Sequence, residues 1–198
     1  MSQSNEELAR LANKCKLVIA VSGPPGSGKT TIAKKIAEVL KLRYVSSGGL
    51  FRELAKKMGL SLIELNRLAS QNPEIDRMID GRAREEARRG SVVIDGHLAA
   101  WVLKDIAHIK IYITAPPNVR FKRIAERDGK PINEVIEETE TRERLELERF
   151  KRIYGIDVRD LTIFDLVVNN EGLTPEATID FILRYIKLRM EALCREVS

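Results

Sequence analysis

The chain has 198 residues, 43% of them hydrophobic and 32% charged, with a formal net charge of +5. That length suits one domain with a sizeable core, and ordinary apolar content with interspersed charges argues against disorder. The small positive excess fits a phosphate-bearing partner and falls short of what a duplex-DNA binder carries.

In chain order, Asn5 opens a short N-terminal helix within an extension of residues 1–15. Lys16–Ser22 (KLVIAVS) is β-branched and nearly all apolar, as a strand buried on both faces must be. Gly28–Leu40 then repeats Ile32, Ile36 and Leu40 at helical spacing, with Lys34, Lys35, Glu38 and Lys41 on the other face. Leu42–Ser46 is a second strand. Helices are expected around Phe51–Lys57, Ser61–Ser70 and Pro73–Arg89, before a third strand over Ser91–Ile94. His108–Thr114 is the fourth strand, followed by helices over Asn118–Asp128, with Asn118 as a cap candidate, and Pro131–Tyr154. Phe164–Asn169 is the fifth strand. Thr174 caps the last helix, whose first turn takes Pro175. Strands alternating with helices predict an α/β three-layer fold, a parallel sheet of five strands flanked by helices. No repeat or linker-like stretch divides the chain, so 1–198 is read as one domain.

Gly23-Pro24-Pro25-Gly26-Ser27-Gly28-Lys29-Thr30 fits G-x-x-x-x-G-K-[ST] between a strand and a helix, the context that makes this motif a phosphate loop. Its glycines let backbone N–H groups approach phosphate oxygens, and the helix N-terminus adds its positive end. Lys29 can reach the β- and γ-phosphates of a bound nucleotide, and the Thr30 hydroxyl can ligate Mg²⁺. Thr31 continues the nucleotide-binding stretch. Val92-Val93-Ile94-Asp95 reads as a strand ending in a carboxylate, which puts Asp95 near Thr30 as a second oxygen for Mg²⁺. Arg123 and Arg127, four residues apart, face one way on their helix. Arg142 and Arg149 lie seven apart, roughly 10 Å along one face of the next. A solvated helix laced with Glu140, Glu143, Glu146 and Glu148 is the plainer reading of that segment. Its position after the fourth strand instead favours folding over the nucleotide.

Cys15 and Cys194 stand in no CxxC or Cys/His cluster, and the only histidines are His97 and His108, so a protein-built zinc centre is not expected. Both thiols are expected free in a reducing cytoplasm. No apolar run approaches 18 residues, so no membrane partner is expected.

Several stretches resemble the nucleoside monophosphate kinases, and among them the archaeal type of cytidylate kinase. They are Val21–Thr31, Val45-Ser46-Ser47-Gly48-Gly49-Leu50-Phe51-Arg52-Glu53-Leu54-Ala55, Asn72–Asp76, Asp95-Gly96-His97-Leu98-Ala99-Ala100-Trp101 and Arg149–Asp157. The resemblance implies Mg-ATP as donor, CMP or dCMP as acceptor, and a P-loop kinase fold; separately, a monomer is expected rather than an oligomer. It also implies an acceptor-binding insertion at about 47–89 and a short lid at about 128–153. By position, Ser47, Arg52, His97 and Trp101 would bind the acceptor, Arg52 gripping its phosphate. Lys29, Arg127, Arg142 and Arg149 would carry catalysis, the arginines neutralising phosphates from the lid side. Three positions depart from the family pattern: His97 stands for arginine, Gly49 for aspartate and Leu145 for serine. An adenylate kinase would show Asp-Gly-Phe-Pro-Arg where this chain has Asp95-Gly96-His97-Leu98. A shikimate-type kinase fits the Ser47–Arg52 spacing less well. A GTP-dependent switch would need Asn-Lys-x-Asp, which is missing, and 5% aromatic residues without an RRM-like motif disfavour an RNA-binding module.

Overall fold

The computed structural model describes residues 3–193. Its elements run α1 (Gln3–Lys14), β1 (Val18–Ser22), α2 (Lys29–Leu40), β2 (Arg43–Ser46), α3 (Ser47–Met58), α4 (Leu62–Gln71), α5 (Glu74–Arg88), β3 (Val92–Asp95), α6 (Ala99–Val102), β4 (Ile109–Thr114), α7 (Pro117–Asp128), α8 (Ile132–Tyr154), β5 (Leu166–Asn169) and α9 (Pro175–Leu193). The five strands pair in the order β2-β3-β1-β4-β5, every neighbour parallel.

Period-two alternation assigns each residue of the central strand to one of two cores. Leu17, Ile19 and Val21 point to the face covered by α1, α2 and α9, where Ile36, Leu40, Ile182 and Ile186 complete a fully buried cluster. Val18 and Ala20 point the other way, joining Val92, Ile94, Ala83 and Leu103. Helices α3–α5 bury a separate cluster of Ala55, Leu65, Ala69, Ile75 and Ile79, with Leu50 and Phe51 against it.

Register brings the chemistry to one edge. Val21 pairs with Asp95, and Ser46 pairs with the same Asp95, so β1, β2 and β3 end level with one another. The loops leaving those ends therefore converge, as ligand-binding loops do in open parallel sheets. Gly96 is part of that convergence: a Cβ there would lie 2.9 Å from the Cβ of Ser47, so only glycine lets the end of β3 meet the start of α3.

Several expectations are corrected by the structure. α3 begins four residues before Phe51, because the Ser46 side chain accepts a hydrogen bond from the Gly49 N–H and caps it. α7 begins at Pro117, with Asn118 inside its first turn and no side-chain cap. The Thr174 cap is present, its hydroxyl accepting from the Ala177 N–H at 3.2 Å. Cys15, expected as a free thiol, is disulfide-bonded; Cys194 lies outside the described residues, as do the first two residues of the 1–15 extension. Among the described residues no helix is long and apolar enough to cross a membrane.

Candidate active site

The phosphate loop joins β1 to α2 at the convergent edge. Gly26, in the left-handed region at φ +75°, sits on the first turn of α7; a Cβ there would come within 2.5 Å of the Arg120 carbonyl oxygen. Arg120, buried beneath the loop, donates to the Pro25 carbonyl at 2.8 Å and to Glu143 of α8 at 2.5 Å. Arg123 and Asn170 brace the other side. Arg123 donates to Asn170 Oδ1 at 2.9 Å, and Asn170 Nδ2 donates to the Ser27 carbonyl at 2.9 Å.

Lys29 and Thr30 leave the loop on the first turn of α2. Lys29 Nζ folds back to the Pro24 carbonyl at 3.2 Å. Burial lowers its pKa to about 8, with the charge of Arg142 acting the same way and that of Asp95 opposing both. Thr30 Oγ1 donates to Asp95 Oδ2 at 2.6 Å, while the Tyr44 hydroxyl donates to Asp95 Oδ1 at 2.8 Å. Asp95 is 1% exposed, and both its oxygens are engaged.

Two cavities meet over this pair. The larger, of about 760 Å³, is lined by Gly26, Gly28 and Thr31 of the loop region, by Arg123, Arg127 and Asp128 of α7, and by Asn170, Leu173, Pro175 and Thr178. The smaller, of about 130 Å³, is lined by Ser46, Ser47, Phe51, Asn66, Asp76, Asp80, Asp95, His97, Glu146 and Arg149 among others. Pro25, Lys29, Thr30, Arg52, Leu62 and Arg142 line both. The common wall thus carries three cations.

Helix α8 faces the smaller cavity with three charged groups. Arg142 Nε lies 3.5 Å from Glu146 Oε1, and His97 Nδ1 lies 2.8 Å from Glu146 Oε2. Burial alone would push the Glu146 carboxyl up. The His97 hydrogen bond and the charges of Arg142 and Arg149 outweigh it and hold the group at about 2. Arg149, 3% exposed, donates to Asn66 Oδ1 at 2.8 Å, and its Nε lies 3.2 Å from Asp76 Oδ2. Burial raises the Asp76 pKa against the lowering charge of Arg149. One turn on, Asp80 is pushed up to about 6, chiefly by burial, although it accepts a hydrogen bond from Tyr154.

The structure brings most of the residues singled out from sequence to the two cavities, Arg149 among those lining the smaller one. Lys29, Thr30, Asp95, Ser47, Arg52, His97 and Arg142 share the smaller cavity. Arg127 lines only the larger one and is held by the neighbouring Asp128 at 2.6 and 2.8 Å. The Arg149 guanidinium turns toward α4 and α5, 5.3 Å from the Phe51 ring and 5.2 Å from the Phe150 ring, rather than toward the phosphate loop. Trp101 lines neither cavity. It is buried edge-on to Phe164 at 4.9 Å, in a cluster with Leu98, Tyr112, Phe150 and Val158, because its helix turns back onto the sheet. Sequence reading missed Tyr44, Asn66, Asp80 and Arg120. Of these only Tyr44, two residues before the end of a predicted strand, carried a local signal.

A family model described as an AAA domain matches residues 22–142. A cytidylate kinase of Staphylothermus marinus is 53% identical over 171 residues, 86% of this chain and 97% of the relative. One of Ignicoccus hospitalis is 52% identical over 169 residues, 85% of this chain and 98% of the relative. Among solved structures, a shikimate kinase of Bacteroides thetaiotaomicron superposes with a TM-score of 0.57 at 16% identity, covering 86% of this chain and 98% of its own. That likeness is one of fold.

Proposed function

The chain belongs to the cytidylate kinase family, and we propose that it moves the γ-phosphoryl group of ATP onto CMP across the wall that its two cavities share. The observation that carries this reading is that wall. Lys29, Arg52 and Arg142 line both cavities, so two phosphate-bearing ligands would meet at one set of cations. Transfer between them needs little covalent help from the protein, since positioning and neutralisation of spreading charge do most of the work.

In this reading ATP occupies the larger cavity, its phosphates on the loop N–H groups and Lys29, with Arg123 and Arg127 beside it. CMP occupies the smaller one, its phosphate at Arg52 and Ser47. Arg142 stands between donor and acceptor, and Glu146 keeps it aimed. His97 holds Glu146 from the acceptor side, which is the role we assign it in place of the family's arginine. Arg149 acts on the acceptor side, and Trp101 supports the wall without touching ligand. Segment 47–89 then supplies acceptor binding, and α8 is the main part of a lid over about 128–153.

Mg²⁺ fits the same corner. The ion takes oxygen ligands and is usually shared between one or two protein oxygens and substrate phosphates. Thr30 Oγ1 and Asp95 Oδ2 supply that pair of oxygens. No cluster of three or more His, Cys, Asp or Glu residues suited to a metal exists among the described residues, so the phosphates would complete the shell. Bound there, the ion would screen phosphate charge. Acceptance of dCMP beside CMP, a monomeric state, a cytoplasmic location and independence from nucleic acid belong to the same proposal.

The test is a panel of CMP, dCMP, UMP, AMP and GMP as acceptors, with ATP and Mg²⁺, read as ADP release. CMP is expected to be fastest, with dCMP nearest to it. A preference for AMP overturns the acceptor assignment.

A further inference from the structure

Asp95 divides its two oxygens between two partners. Oδ2 accepts from Thr30 at 2.6 Å and is the oxygen offered to Mg²⁺ in the reading above, while Oδ1 accepts from the Tyr44 hydroxyl at 2.8 Å. No step of the proposed transfer uses Tyr44. Strand register explains how its hydroxyl arrives there. Tyr44 pairs with Val93 and Ser46 with Asp95, so Tyr44 lies one period behind Asp95 on the neighbouring strand and faces the same side of the sheet, toward α2. Its ring packs at the margin of that core, with Lys34 Nζ 5.7 Å from the ring centre. The phenol is thus anchored along its body, and at neutral pH its hydroxyl is a donor.

Without that hydroxyl the carboxylate has a competing partner. Asp95 is 1% exposed, and its charge acts on the Lys29 ammonium, which itself donates to the Pro24 carbonyl at 3.2 Å. A buried carboxylate oxygen left unpaired is costly, so a freed Oδ1 would turn toward the nearest donor. Rotation toward Lys29 would pair the two charges, taking the cation from nucleotide phosphate and the carboxylate from the ion. Resting on the kinase reading above, we propose that Tyr44 is a positioning residue: its hydroxyl occupies Asp95 Oδ1 and fixes the carboxylate plane, reserving Oδ2 for the metal corner and Lys29 for phosphate. Groups that hydrogen-bond a ligating carboxylate set its hold on an ion, and their loss commonly costs about 10–100-fold in affinity.

Tyr44→Phe keeps the ring and deletes only the donor. The probe is Mn²⁺, titrated into protein saturated with ATP in the absence of CMP, with the free ion read by its paramagnetic resonance. In Tyr44→Phe the Mn²⁺ dissociation constant is expected to rise about tenfold, while that of ATP with a chelator present changes by less than about twofold. The free Mg²⁺ giving half-maximal turnover is expected to rise by a similar factor. Tyr185→Phe is the control, since it deletes a hydroxyl that donates at 2.8 Å to the Asp165 carbonyl ahead of β5, and its Mn²⁺ constant is expected to stay at the wild-type value. An unchanged Mn²⁺ constant in Tyr44→Phe overturns the proposal. An equal rise in Tyr185→Phe, or a Tyr44→Phe chain that does not fold, also overturns it by assigning the hydroxyl to the fold. Wild-type protein with ATP that holds Mn²⁺ no more tightly than ATP alone is a different result; it removes the metal corner from the kinase reading, and this proposal with it.

Discussion

Lys29 differs from the two arginines beside it in one respect: its charge is adjustable near neutral pH. Burial has lowered its pKa from 10.5 to about 8, so above pH 8 the side chain is largely neutral before nucleotide arrives. Phosphate binding favours the charged form, so at higher pH ATP must bring a proton with it. Its dissociation constant is expected to rise roughly tenfold between pH 7 and pH 9, and calorimetric titrations are expected to show about 0.1 proton taken up at pH 7 and about 0.9 at pH 9. A flat profile would mean that Lys29 does not meet the phosphates. Lys29, Thr30 and Asp95 were legible in the sequence because a loop motif and a strand end fix their positions through short-range geometry. Asn66 and Asp80 were not, since their importance depends on which faces of α4 and α5 meet α8. Trp101, assigned to the acceptor by resemblance, lines neither cavity because Ala99–Val102 turns its indole into the core.

Helix α8 acts as a strut between the two cavities. Glu143 ties it to Arg120 and so to the phosphate loop, Arg142 and Glu146 face the junction, and Arg149 and Tyr154 engage α4 and α5. Glu143→Ala would leave Arg120 partly uncompensated in a buried position, at a cost of about 2 kcal/mol once partial solvation of the glutamate is allowed for. The melting temperature is expected to fall by about 4–8 °C in a thermal scan. Turnover is expected to fall about tenfold with KM for CMP little changed, because Arg142, one residue away, loses its alignment with the loop. Equal losses in Glu143→Ala and in the exposed-face control Arg144→Ala would assign α8 a passive role. Its length and charge pattern were visible in sequence, as were the five strands, whose apolar runs end within a residue or two of the observed bounds. The short α6 was invisible because four residues carry no period. The start of α3 was hidden by Gly48 and Gly49, whose poor helix propensity is overridden by the Ser46 cap.

At the scale of the whole molecule, alternation of strands and helices made the parallel sheet predictable, but the order β2-β3-β1-β4-β5 was not contained in it. Neighbours in that order depend on which helix covers which face, a matter of packing between distant segments. The order sets β1 between β3 and β4 and so centres the phosphate loop between the two cavities. Because Lys29, Thr30, Arg52 and Arg142 belong to both cavities, the pockets are two halves of one compartment. A single molecule carrying a nucleoside at each end of a phosphate chain would lose translational freedom once and meet its second half-site at millimolar effective concentration. Such a compound is expected to bind at one per chain, at least about a hundredfold tighter than ATP in a displacement titration, and to exclude both substrates together.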